Sequence, residues 1–429
     1  MNALARTLNG RMHYAWITAA IVFMVLLVAA GVRSMPGVLM VPLENAFGWS
    51  RSTISAAVAV NLALYGLLGP FAGAAMQRFG IRRMVVCALA LLSVAIALST
   101  QIHSPWQLVL TWGFMVGTGS GITAAVLAAT VVNRWFRARR GVVMGALTAA
   151  TATGQLVFLP LLASIVQTDG WQGAAWTVAG AVALMIPLCA WLIHDRPQDV
   201  GLLPYGATAD DPGTPAHKAG ASTNPVAIAF AALGRAVRVR AFWILFGSFF
   251  ICGLSTNGLI GTHFISFCID GGMPEVRAAG VLAMMGVFDL LGTTLSGWLS
   301  DRYDNRWLLF WYYALRGLSL LYLPYSDLTF WSLGLFGMFY GLDWIATVPP
   351  TVRLATDAFG ERDAPVVFGW IFTGHQLGAA TAAFGAGAIH AAFGAYTGAF
   401  LFAGAMCGVA ALAVLSVKRT PRLRTAIAV

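Results

Sequence analysis

Charge is what this sequence has least of. Asp, Glu, Lys and Arg make up 10% of its 429 residues, 16 acidic and 26 basic, where a soluble domain carries about 25%. So few charges cannot cover a water-facing surface, which excludes a cytosolic enzyme, a disordered chain and a nucleic-acid binder. The cysteines, Cys87, Cys189, Cys252, Cys268 and Cys407, all lie in apolar stretches with no C-x-x-C pair, so neither a disulfide framework nor a metal site is expected. A secretory leader is not expected either. The apolar run that begins near Tyr14 is too long for one, and no small-residue cleavage site follows it. The glycines Gly113, Gly117, Gly119 and Gly121 follow no strand and have no Lys, so they read as close helix packing and not as a nucleotide loop. No zinc motif and no nucleophile with a paired base is recognisable, so the expectation is no enzyme, no cofactor, no metal and no catalytic residue.

What is abundant is apolar surface, 59% of residues. It falls into twelve runs near 14–42, 53–76, 82–101, 106–133, 141–167, 172–194, 241–268, 276–299, 307–324, 328–351, 365–390 and 394–416. Each is long enough to cross a hydrocarbon core of roughly 30 Å as a helix. Runs this uniformly apolar do not fit barrel strands. The predicted fold is therefore an all-α membrane protein with twelve transmembrane helices. Twelve crossings put both termini on one side. Of the 26 basic residues, 22 then fall on that side, Arg51 and Arg277 fall on the other, and Arg33 and Arg316 lie within helices. Basic loops mark the cytoplasmic side, so both termini are expected in the cytoplasm. The stretch 195–240, with Pro197, Pro204, Pro212, Pro215, Pro225, Asp210 and Asp211, reads as a linker between bundles at 1–194 and 241–429.

The two halves repeat. Gly73–Arg83 (GAAMQRFGIRR) and Gly297–Arg306 (GWLSDRYDNR) lie 224 residues apart, and the same shift maps Arg78 onto Arg302, Arg82 onto Arg306 and Gly145 onto Gly369. A duplicated six-helix unit in parallel order is the signature of an alternating-access carrier.

Ionisable residues inside a membrane are costly, about 2.5–3.5 kcal/mol at a helix centre, and so mark function or pairing. Arg33, beside Pro36 and Gly37 in the outer half of predicted helix 1, suits a carboxylate, which a guanidinium fork grips bidentately; the alternative is snorkelling to the interface. Asp289, Arg316 and Asp343, at similar depth in predicted helices 8, 9 and 10, form a candidate proton-coupling network or a structural ion pair. His375 and Gln376 in helix 11, Asn257 and His263 in helix 7, and Asn61 and Tyr65 in helix 2 are candidate substrate ligands or interhelical contacts. Tyr65 maps onto Asp289 by the 224-residue shift, so both are expected to face one pseudosymmetric interior. Gln77, Arg78, Arg82, Asp301, Arg302 and Arg306 are candidate gate residues on the cytoplasmic side. There the basic loop Arg134–Arg140 is matched in the second half by Asp357, Glu361 and Asp363.

On these loops the sequence resembles the major facilitator superfamily, whose G-x-x-x-D-R-x-x-x-R motif the second copy matches; the first has Gln77 in place of Asp. More narrowly it resembles the bacterial monocarboxylate porter and oxalate/formate antiporter branch. The residues carrying this are Phe47–Arg51 (FGWSR), Arg134–Phe136, Arg139–Gly141, Gly170 with Trp171, Arg196–Leu202 (RPQDVGL) and Pro204–Gly206. The resemblance implies the major facilitator fold and transport, with Asp301 and Arg302 in a cytoplasmic latch and helix 9, hence Arg316, as a brace. It also implies an Asp in helix 8 followed four residues on by an Arg. Asp289 fits the first, but Thr293 stands at the second. The resulting expectation is a monomeric carrier of the bacterial inner membrane that takes up small organic anions, monocarboxylates first, together with protons. Anion exchange or efflux, and a non-transporting receptor on a carrier fold, are the alternatives.

Overall fold

The computed structural model describes residues 12–207 and 225–418. Arg6, Arg11, Asp210, Asp211, Pro212, Pro215, Lys218, Arg419, Arg422 and Arg424 lie outside the described residues, as does the side chain of Glu361.

Most of the described residues lie in one of twelve helical rods. They are α1 (Tyr14–Phe47), α2 (Arg51–Phe79), α3 (Ile81–Ser99), α4 (Pro105–Trp135), α5 (140–169), α6 (171–192), α7 (Arg240–Asp270), α8 (Glu275–Arg302), α9 (Asn305–Tyr322), α10 (330–359), α11 (361–393) and α12 (Thr397–Leu415). Eight helical stretches among the described residues are long and apolar enough to cross a membrane, by length and composition. One of these, Arg140–Leu192, contains two rods, because Gly170 adopts φ 73° and turns the chain back. Gly360, at φ 76°, does the same between α10 and α11. Positive φ is open to glycine at no steric cost. α9, α10 and α11 fall outside the eight. α9 mixes Arg306 and Arg316 with aromatic residues, α10 is interrupted, and α11 is rich in Gly and Ala.

The outer surface is apolar, as lipid contact requires: Leu412 is 67% exposed, Leu318 63% and Phe339 61%. Rods α1–α6 and α7–α12 form two bundles. They meet where α2 lies on α11, where α8 lies on the α5–α6 hairpin, and where the far end of α7 lies on α1. The ends of α1 and α12 that lead to the chain termini sit on one face, called here the terminal face; the connections α1–α2, α7–α8 and α11–α12 sit on the far face. Between the bundles, a helix over Pro225–Ala236 packs on α11, where the Trp370 indole donates to the Ala229 carbonyl at 3.0 Å.

Two kinds of irregularity position the interior groups. α4 and α7 each contain a π-helical stretch, Val109–Val116 and Leu254–Ile260, a geometry frequent at functional sites. α10 is broken between Asp343 and Val348, just before Pro349 and Pro350. Prolines have no N–H to return to the preceding turn.

Close approach between α7 and α11 rests on missing side chains. A Cβ on Gly253 would overlap the His375 carbonyl, and one on Gly378 would overlap that of Phe250. Gly253→Ala is expected to destabilise the protein by about 3 kcal/mol, the upper range for overpacking. Gly280→Ala, where a Cβ meets nothing within 4 Å, should leave the melting temperature unchanged or raised. Thermal unfolding of both variants in detergent checks the pair.

Candidate functional site

Arg33 stands on α1 one turn before Pro36, which leaves the Val32 carbonyl without its helical donor. Its Nη1 is buried with no hydrogen-bond partner, and no carboxylate lies within ion-pair distance among the described residues. Its guanidinium carbon lies 5.9 Å from the centre of the Tyr65 ring on α2, within cation–π reach. Tyr65 meets Phe372 of α11 edge-on at 6.2 Å, and Phe372 stacks on His375 at 5.7 Å. His375 also touches Phe249 of α7 at 4.9 Å. Gln376 packs on Gly66 of α2, whose carbonyl accepts the Thr373 hydroxyl at 3.2 Å. His375 Nδ1 and Gln376 Oε1 are, like Arg33 Nη1, buried without partners. A continuous chain of side chains thus runs from α1 through α2 to α11, across the junction of the two bundles. It starts at an unneutralised cation and holds unsatisfied polar atoms that could bind an anionic, hydrogen-bonding solute.

Other predicted ligands sit differently. Asn61 donates to the Trp112 carbonyl in the π stretch of α4 at 2.7 Å. Asn257, half-buried in the π stretch of α7, accepts the Thr262 hydroxyl on its carbonyl at 2.9 Å. His263 is fully buried with both ring nitrogens engaged, Nε2 on the Ala383 carbonyl at 2.7 Å and Nδ1 on the Tyr396 hydroxyl at 3.1 Å. It therefore belongs to a far-face cluster and not to the Arg33 chain.

Asp289, Arg316 and Asp343 come together around the break in α10. Arg316 Nε donates to Asp343 Oδ2 at 2.6 Å, and its Nη2 donates to the carbonyls of Asp343 and Trp344 at 2.5 and 3.2 Å. Its Nη1 reaches Cys252 Sγ at 3.0 Å. Asp289 makes no ion pair among the described residues. Its Oδ1 accepts the Ile345 backbone N–H at 2.9 Å and the Thr293 hydroxyl at 3.0 Å. Thr293 stands at the position where the family resemblance implies an arginine. The Ala346 carbonyl, whose helical donor would be Pro350, instead accepts the Ser296 hydroxyl at 2.5 Å. Side chains of α8 and α9 therefore supply the hydrogen bonds that the broken helix lacks. Asp343 Oδ1 is left buried and unpartnered.

The far face carries a group that sequence reasoning missed. Arg51, the first residue of α2, bridges Glu44 at 2.8 Å and Asp270 at the end of α7 at 2.5 and 2.6 Å, and reaches the Tyr396 hydroxyl at 3.2 Å. His390 Nε2 lies 3.1 Å from Asp270. This cluster ties the first bundle to the second. Its one sequence signal was Arg51 itself, one of two basic residues expected on that side and part of the FGWSR stretch.

On the terminal face the contacts described for the candidate gate residues lie within their own bundles. Gln77 and Asp301 are exposed. Arg78 lies over Phe79, and Arg302 over Trp298 while donating to its carbonyl at 3.1 Å. Arg306 pairs with Asp304 at 2.8 Å. Asp195 accepts the Arg82 backbone N–H at 2.9 Å, and Arg134 donates to the carbonyls of Asp195 and Met76, both at 3.3 Å. Arg140 donates to the Phe136 carbonyl at 2.7 Å, Asp363 pairs with Arg235 at 2.9 Å, and Asp357 pairs with Arg353 at 3.9 Å. The Pro204–Gly206 motif has a structural task here. Tyr205 exchanges backbone hydrogen bonds with Trp135, Arg137 and Ala138 at 2.8–3.1 Å and stacks edge-on against Trp16 and His13, stapling the α4–α5 turn to the start of α1.

Comparison with known proteins agrees with this geometry. The Major Facilitator Superfamily profile matches residues 22–346 and 272–428. The chain is 25% identical over 370 residues to the uncharacterized MFS-type transporter YcxA of Bacillus subtilis, covering 81% of each chain. It is 23% identical over 398 residues to the rat Monocarboxylate transporter 13, covering 91% of this chain and 86% of that one. With the mouse Monocarboxylate transporter 11 it shares 27% identity over 295 residues, 67% of this chain and 60% of that one. Among solved structures, the nucleoside transporter NupG superimposes with a TM-score of 0.75 at 11% identity, covering 94% of this chain and 100% of that one. A bacterial homologue of the human lysosomal transporter Spinster, inward-facing and unoccupied, gives 0.72 at 14%, covering 96% and 100%. At these identities the two structures speak for the fold alone.

Removing one partner of a buried ion pair leaves an uncompensated charge and costs about 3–5 kcal/mol. Arg316→Leu is therefore expected to lower thermal stability by that order. Arg316→Lys should also lower it, because an ammonium cannot reach the Asp343 carboxylate and both freed carbonyls together. An unchanged melting temperature in both variants would remove Arg316 from its bracing role.

Proposed function

The chain belongs to the major facilitator superfamily and is a multi-pass membrane transporter, not an enzyme; from that premise we propose that it carries small organic anions, monocarboxylates as a class, with protons and by alternating access. The observation that carries this reading is Arg33, an unpaired guanidinium at the junction of the two bundles. An anion arriving there supplies the missing counter-charge and accepts a forked hydrogen bond, while Tyr65, His375 and Gln376 offer further polar contacts around it. The mouse and rat relatives, both monocarboxylate transporters by name, support the carboxylate class.

The proposed orientation puts the terminal face in the cytoplasm of a bacterial cell, because the sequence assigns 22 of the 26 basic residues to the side of the termini. In that orientation the Arg51 cluster, which ties α2 to the end of α7, is the closed external gate. The chain then stands inward-facing, as a monomer with one substrate route between its halves. Closing the internal side would bring the Arg78 and Arg302 loops toward the opposite bundle.

Asp289 is the proposed proton site. Its carboxylate accepts the Ile345 N–H that the α10 break exposes. A proton on that carboxylate removes its charge and weakens the charge-assisted bond, freeing the lower part of α10 to move against α8. Asp343 stays committed to Arg316 and holds the upper part. Loading substrate on Arg33 and a proton on Asp289 would leave the interior with no net uncompensated charge, which is the state in which closing the halves around it costs least.

Uptake of labelled lactate or pyruvate into proteoliposomes should rise with an inward proton gradient. Asp289→Asn should abolish that dependence while retaining exchange of internal for external substrate. Equal uptake with and without the gradient in the parent protein would remove proton coupling. For Arg33→Ala, the affinity read from anion-induced thermal shifts should fall about a hundredfold, the loss of one charge-assisted interaction worth about 1.5–3 kcal/mol. An unchanged shift would take Arg33 out of the binding site.

A further inference from the structure

A groove of about 610 Å³ opens between the terminal-face ends of α7 and α12, away from the junction of the two bundles. Its wall is made by what is small: Gly247 on α7, where a Cβ would meet nothing within 4 Å, and Ala410 and Ala413 on α12. At its mouth stand Arg238 and Arg240, both exposed. Neither has a carboxylate within ion-pair distance among the described residues. Their neighbour Arg235 is different, being held by Asp363 at 2.9 Å. Trp243 lines the same groove, 55% exposed, with its indole N–H fixed on the Val237 carbonyl at 2.8 Å. A tryptophan with an apolar ring in the acyl region and its polar edge at the headgroups marks the interfacial depth.

We propose that this groove binds an anionic phospholipid of the leaflet at the terminal face, its phosphate on Arg238 and Arg240 and an acyl chain in the groove. The charge argument selects the lipid. Two unneutralised guanidinium groups side by side favour a phosphate whose headgroup carries no cation, and they disfavour a zwitterionic head that would bring a quaternary ammonium beside them. The shape argument selects a lipid over a free anion, since a small phosphate would leave the apolar wall of the groove unused. The site is separate from the Arg33 chain and does not depend on which solute is carried.

The test uses the full chain in nanodiscs of phosphatidylcholine doped with phosphatidylglycerol, reading lipids retained in native mass spectrometry and the shift in melting temperature. The parent protein should retain phosphatidylglycerol over phosphatidylcholine and melt higher in its presence. Arg238→Gln and Arg240→Gln should each weaken that preference about fivefold, the effect of about 1 kcal/mol for one basic residue near an anionic lipid. Arg83→Gln, an exposed arginine on the same face away from the groove, should leave it intact. Gly247→Phe, which fills the groove, should lose retention while both arginines remain. Full preference in the Arg238→Gln/Arg240→Gln double variant would overturn the proposal. So would an equal loss in Arg83→Gln, since that is a diffuse charge effect. Stabilisation by glycerol 1-phosphate equal to that by the whole lipid would overturn it as well, because the groove would then play no part.

Discussion

A charge inside a low-dielectric interior must find a partner, and the arrangement of this molecule follows from which charges have one. Arg316 has every donor direction committed: a carboxylate, two backbone carbonyls and a thiol, all from neighbouring helices of its own bundle. Arg33 has an aromatic face and a buried, unbonded Nη1. The two arginines cost the same to bring into a membrane, yet the fold compensates only one of them. The compensated one fixes geometry. The uncompensated one is the guanidinium to which the proposed function assigns the anion.

The break in α10 obeys the same rule at the level of the backbone. Pro349 and Pro350 remove two donors, and four residues of helix unwind ahead of them. In water the freed groups would be solvated; here they are met by Asp289, Ser296 and Arg316. The price is that a carboxylate has become part of the backbone's hydrogen-bond supply. A change in the charge of that carboxylate would therefore change how firmly α10 is held to α8 at the break.

Much of the fold was legible because a membrane span imposes length and composition together. The apolar runs and the basic asymmetry located the rods, and the 224-residue repeat paired the loops. The interior was legible only as a set of residue types. Arg316, Asp343 and Asp289 could be named because ionisable residues are rare in such runs, but nothing in the sequence said that Asp289 would grip a backbone N–H on α10. The one hint was the neighbouring pair of prolines. His263 read as a solute ligand because its partners, the Ala383 carbonyl and Tyr396, lie 120 and 133 residues further along. Arg51 read as a loop charge for the same reason, since Asp270 is 219 residues away. Long-range pairing is set by packing of whole rods, and residue type alone does not encode it.

The strength of the contact between the bundles matters as much as its presence. Arg51 is nearly buried, with 6% of its side chain exposed, but its partners Glu44 and Asp270 keep 31% and 33% exposed. Arg316 and Asp343 keep 0% and 10%. Partly hydrated carboxylates give up less when an ion pair opens, because water takes over the charge as the partner leaves. The far-face cluster therefore costs less to open than the Arg316 pair. A carrier that alternates needs its two closed states to differ by no more than the binding free energy of its solute can shift. Half-wet charges such as those around Arg51 suit that condition. A gate as dry as the Arg316 pair would lock the molecule in one state.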